Sequence, residues 1–130
     1  MRPIHQSLLA LILIATAMPA AAQRGGWVQI GEREVNDRVD RDVVAAEGRR
    51  RFTQVRICVG RHAIRFFDVD VRFRNGGNQD VPVRAVIPAG GCTRDVALAG
   101  RGGRDIATVA FTYEAASLGR ERSHVRVYAR

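Results

Sequence analysis

The 130-residue chain carries 21 basic residues, every one an arginine, against 13 acidic ones, for a formal charge of +8 at pH 7. That length bounds it to one compact domain with a single core. Arginine without lysine is consistent with GC-rich codon usage, yet each guanidinium still presents a planar fork suited to carboxylate and phosphate.

The chain opens on MRPIHQ, followed by the apolar stretch SLLALILIATAM and the small residues PAAAQ. A basic start, a short apolar run and an A-x-A site predict a secretory signal, residues 1–22, cleaved after Ala22. At about a dozen residues the run falls short of the roughly 20 needed to span a bilayer. No cysteine follows the small residues, so no lipid anchor is expected. The prediction is a periplasmic or secreted protein whose mature domain, residues 23–130, has no transmembrane span.

From there apolar residues recur two apart, and turn residues interrupt the chain every 8–15 positions or so, the pattern of antiparallel β structure. Strands are expected over 27–35, 39–45, 52–59, 62–74, 79–87, 93–98, 105–114 and 123–129. That makes an all-β, single-domain antiparallel β-sandwich of about 7–8 strands, jelly-roll or Ig-like. Connections fall at Asn36-Asp37, Gly48, Gly60, Asn75 to Asn78, Pro88 to Gly91, Gly100 to Gly103 and Leu118-Gly119. Ala115 to Leu118 can make one helical turn, and residues 23–26, QRGG, read as a loose start.

The core rows follow from alternation. Val55, Ile57 and Val59 share one face, as do Phe67, Val69, Val71 and Phe73; Val81, Val83, Ala85 and Ile87 form another row. Ile64 and Phe66 sit on the opposite parity from Phe67 and Val69. Either a β-bulge near Phe66–Phe67 restores the register, or the strand passes from one sheet to the other.

The hairpin DVDVRFRNGGNQDVPVR, residues 68–84, holds three acids that invite a metal reading. Aligning its apolar rows pairs residue 73 with 81, 71 with 83 and 69 with 85, leaving a Gly76-Gly77-Asn78 loop. Asp70 then stands opposite Arg84 as a structural ion pair, of the kind that contributes roughly 0.2–1 kcal/mol. The calcium-loop spacing fails because Arg72 takes the third ligand position. No metal site, no cofactor and no catalytic residue is expected here or elsewhere.

Cys58 and Cys92 are destined for an oxidising compartment, where a disulfide is the default. Parity puts Cys58 on the outer side of its strand, so Cys92 must reach that outer edge to pair with it. The residues leave both the disulfide and two free thiols open. Beyond the signal, His62, His124, Ser117 and Ser123 form no G-x-S-x-G or H-E-x-x-H pattern.

The basic groups are Arg49-Arg50-Arg51 at the start of a strand and the turn Arg101-Gly102-Gly103-Arg104. Isolated RGG triplets without interleaved aromatics read as glycine turns, not as the arrays that bind nucleic acid, so no specific nucleic-acid partner is expected. These five arginines are the candidate anion-binding residues, and the partner is an anionic envelope component or another envelope protein. The leading reading is a non-catalytic binding or interaction module. The second is a hydrolase of envelope polymers with a site on its loops; a pocket joining His62 or His124 to an acid would favour it.

The run VPVRAVIPAGGCTRDVALAGRGGRDIATVAFTY, together with RFTQVRICVG and FFDVDVRFRNG, resembles a domain-of-unknown-function family of small exported β-rich proteins of Gram-negative bacteria. The resemblance covers most of the mature chain and implies export and a β-rich domain. Its motifs are strand, turn and core positions, so it transfers no catalytic residue and is silent on the cysteines.

Overall fold

Alternation at period two becomes two sheets that bury their apolar rows against each other. A computed structural model describes residues 26–116 and 121–130; the signal-segment expectation and Ser117 lie outside the described residues. The strands are β1 (Val28–Glu34), β2 (Val39–Ala45), β3 (Arg51–Phe52), β4 (Gln54–Gly60) and β5 (Ile64–Phe73). There follow β6 (Asn78–Asp80), β7 (Val86–Ile87), β8 (Val96–Ala97), β9 (Arg104–Ala115) and β10 (His124–Ala129).

One sheet runs β1-β10-β4-β8; the other, six-stranded, runs β2-β9-β5-β6, with β3 also on β9 and β7 also on β5. The named strand pairs are antiparallel. The single-domain β-sandwich is therefore as expected. Ten strands replace seven or eight because the 79–87 segment splits into β6 and β7 and a short β3 precedes β4. Val55, Ile57 and Val59 are 1%, 1% and 3% exposed, so the alternation in β4 is nearly complete. At the centre, the Phe111 ring lies 6.0 Å edge-on from Phe66 and 5.5 Å from Tyr113.

Tyr113 also anchors the only buried carboxylate among the described residues. Its hydroxyl donates to Asp42 at 2.7 Å and accepts the Asn36 N–H at 2.9 Å. Asp42, 7% exposed, meets the Arg33 guanidinium at 3.0 Å and so links β2 of one sheet to β1 of the other. Burial first, then the hydrogen bond to Asp42, pushes the Tyr113 phenol above its usual pKa. A buried charge is tolerated only when partnered in this way.

The parity break in β5 is a bulge. The pairing with β9 jumps between Phe66 and Asp68, so Phe66 and Val69 both face the core. The cost falls on Phe67, which was expected inside and is instead 39% exposed.

The hairpin after β5 departs from expectation. Its register pairs Asp70 with Asp80, Val71 with Gln79 and Arg72 with Asn78, so the Asp70–Arg84 pairing does not form. The reason is a turn of the same length that closes two residues earlier, over Arg74 to Gly76. Phe73 N–H donates to Gly77 O at 3.1 Å to close it, with Gly76 and Gly77 at φ +93° and +83°. Such φ values cost glycine little and other residues more. The strand then ends before Pro82, which has no N–H to continue a ladder. Val83 N–H turns back onto Val81 O at 2.7 Å, and both valines reach the core through this kink.

Candidate functional site

Three segments far apart in sequence meet at one end of the six-stranded sheet. β3 brings Arg51 opposite Asp105 and Phe52 opposite Arg104, at the start of β9. The turn into β9 passes under β3 with no space to spare. A Cβ on Gly103 would lie 3.0 Å from the Arg51 Cβ and 3.2 Å from Phe52 O, at a φ of +79°. Glycine there lets the Arg101 turn lie flat against the Arg49–Arg51 run. The end of β5 and its turn complete the wall.

The result is a cleft of about 1060 Å³ lined, among the described residues, by seven arginines and one carboxylate, Asp105. All five arginines singled out from sequence line it: Arg49, Arg50, Arg51, Arg101 and Arg104. Arg72 and Arg74 join them, two arginines that sequence alone does not single out for anion binding. Their strand-end position beside a glycine turn was a usable signal, since side chains there project into whatever the turn abuts.

The seven divide by what holds them. Arg104 lies flat on the Phe73 ring, 3.7 Å from its centroid, and donates to Ala99 O at 2.9 Å and Asn75 Oδ1 at 3.2 Å. Arg74 donates to Asp105 at 3.1 Å and to the carbonyls of Ala46 and Gly48 at 3.0 and 2.9 Å. These two build the cleft. Arg49, Arg50, Arg51, Arg72 and Arg101 are exposed and make no ion pair among the described residues. Arg50 has only the Phe52 ring, 5.5 Å away. Planar guanidinium forks without carboxylate partners match phosphate, sulfate or carboxylate groups bidentately.

The other singled-out residues lie elsewhere. Asp70 accepts a hydrogen bond from Asn78 Nδ2 at 3.3 Å and faces Asp80, whose own basic neighbour is Arg84. Local desolvation, then a hydrogen bond with Asp68 and its charge, raise the Asp80 pKa against the pull of Arg84. Among the described residues no group of three or more His, Cys, Asp or Glu side chains is placed to hold a metal ion.

Cys58 and Cys92 are joined as a disulfide across an antiparallel bridge, with Cα atoms 4.0 Å apart. Cys92 does reach the outer edge of β4, held by Val59 N–H to Gly91 O at 2.9 Å and Thr93 N–H to Ile57 O at 2.7 Å. His124 stands 3.9 Å from Glu34, which also pairs with Arg61 at 3.1 Å. His62 lines a shallow depression of about 340 Å³ together with Glu114. The Ser123 hydroxyl is spent on the His62 carbonyl at 2.9 Å.

Both sheets and every residue lining the arginine cleft lie within a stretch, residues 7–129, that matches the family model described as "Domain of unknown function (DUF2541)". The chain belongs to that family. No curated protein and no solved structure is significantly similar to it. No helix among the described residues is long and apolar enough to cross a membrane.

Proposed function

We propose that this DUF2541 protein is an exported, periplasmic or secreted binding module that takes anionic polymers, or an acidic surface of another envelope protein, into the arginine cleft without chemistry of its own. The observation that carries the reading is a cleft lined, among the described residues, by seven arginines and one carboxylate, with five of the arginines in no ion pair there. Like charges gathered in a cleft raise the local potential and concentrate counter-ions there. A site for phosphate or sulfate groups uses that potential, and a solvated face of mixed charges does not need it. The basic, apolar and small-residue leader supports export.

The test is retention on immobilised heparin and on lipopolysaccharide. At low salt the protein binds, and it elutes as salt rises, because exposed charges are screened with a Debye length of about 8 Å at physiological ionic strength. The combined substitution Arg49→Ala, Arg51→Ala and Arg101→Ala removes most of the retention. Undiminished retention by that variant would overturn the assignment of the cleft.

A second reading, an envelope-polymer hydrolase, draws on His62 and Glu114 sharing one depression, a pairing suited to general acid–base work. Polymer cleavage that His62→Ala abolishes would establish it, whereas intact polymer after incubation with the purified protein would remove it.

A further inference from the structure

The outer face of the four-stranded sheet holds a second concavity. β10 and β4 pair so that His124 faces Gly60, Arg126 faces Cys58 and Tyr128 faces Arg56. The alternate positions, Val125 and Val127 on one strand and Ile57 and Val59 on the other, are buried, which leaves these three pairs on the outside. One member of the row supplies no side chain, Gly60, and the neighbouring Gly90 supplies none either. The gap between them is a groove of about 510 Å³, within the roughly 300–1,000 Å³ of small-molecule sites.

Its lining is mostly apolar, with two arginines among the described residues. The aromatic ring of Tyr128 and the polarisable sulfurs of the Cys58–Cys92 disulfide stand in its walls. Arg56 lies over the Trp27 ring, 4.1 Å from its centroid, and both residues line the groove. Arg126 stands on the far side. Asp95 and Glu32 pair with these two arginines at 2.8 and 3.4 Å, both through Nε, and neither carboxylate lines the groove. The terminal nitrogens of a guanidinium carry four further N–H donors.

We infer that this groove binds a planar aromatic acid, its ring against Tyr128 and the disulfide and its carboxylate or sulfonate on Arg56 and Arg126. The inference is independent of the arginine cleft, which lies on the other sheet. Aromatic and sulfur walls favour a polarisable ring over a branched aliphatic group, and a lining with two guanidinium groups and no carboxylate among the described residues favours an anion over a cation.

Gly60 makes the idea testable without disturbing the fold. A Cβ built there meets only the His124 Cβ, at 3.7 Å, an ordinary contact, and its φ is not in the left-handed region. Gly60→Val therefore suits the strand while its branches fill the groove. The probe is 8-anilinonaphthalene-1-sulfonate, followed by energy transfer from Trp27, the single tryptophan of the chain. Its neutral counterpart, N-phenyl-1-naphthylamine, reports the share of the charge. The sulfonate is expected to bind saturably, one per chain, and about tenfold or more tighter than the amine. Gly60→Val and Arg126→Gln should each weaken it by about fivefold or more, while the Arg49, Arg51, Arg101 alanine variant binds as the unsubstituted protein does. Should Gly60→Val fail to fold, Arg126→Gln carries the same decision. Absence of saturable binding, equal affinity for the neutral amine, or full affinity in a folded Gly60→Val protein overturns the inference.

Discussion

Replacing Arg49, Arg51 and Arg101 together by alanine should change not only how tightly the cleft holds a polyanion but how steeply that affinity depends on salt. Five arginines line the cleft without an ion pair among the described residues, and these three are among them. A single-stranded oligonucleotide of scrambled sequence serves as a calibrated polyanion, because each phosphate neutralised contributes about 0.7 to the slope of log K against log salt. If all five engage, the slope is about −3.5, and affinity falls roughly 100-fold between 50 and 200 mM salt. With three removed the slope drops to about −1.4, and the same change in salt costs only about sevenfold. Arg74 and Arg104 are left in place because hydrogen bonds to backbone carbonyls and the stack on Phe73 make them part of the wall. Fluorescence anisotropy at four or five salt concentrations gives both slopes. An equal slope in the two proteins would mean that the polyanion sits elsewhere, and a slope near zero in the unsubstituted protein would mean that charge is not the basis of binding.

Tyr113→Phe keeps the ring and removes the hydroxyl that Asp42 and the Asn36 N–H share, so it should cost about 2–4 kcal/mol in urea unfolding with an unchanged m-value; a loss under about 0.5 kcal/mol would contradict the network. Joint replacement of Cys58 and Cys92 by serine releases a constraint spanning 34 residues and should lower stability by up to about 3–4 kcal/mol, less where the surrounding backbone hydrogen bonds persist. Intact mass after alkylation without reductant should show no alkyl groups; two adducts would deny the bond. For Asp80, the folded-state pKa is raised, so the folded protein holds this proton more tightly than the unfolded chain, and stability is lost as pH rises from the ordinary carboxylate value of 3.8 through the raised one. Asp80→Asn removes that loss, so its melting temperature should exceed that of the unsubstituted protein at pH 7 and converge with it near pH 3; a lower melting temperature at pH 7 would refute the assignment.

What the sequence determined by itself was whatever repeats at short range. Val55, Ile57 and Val59 declare a half-buried strand by their spacing alone, and the mismatch of Phe66 with Val69 marks a break in register there, which the pairing with β9 resolves as a bulge rather than a crossing between sheets. The five candidate arginines were visible as two clusters for the same reason. The hairpin register was not, because the apolar rows of residues 69–73 and 81–85 align best in a pairing that the turn does not adopt. Val81 and Val83 reach the core through a kink at Pro82, so burial is met without the ladder that burial suggested, and Asp70 comes to face Asp80. That Arg49–Arg51, Arg72–Arg74 and Arg101–Arg104 form one cleft depends on β3 and β5 both pairing with β9. Whether Cys92 reaches Cys58 depends likewise on where the Gly90–Thr93 segment lies against β4. Such long-range pairings are selected by packing of the whole sandwich, and no local periodicity records them.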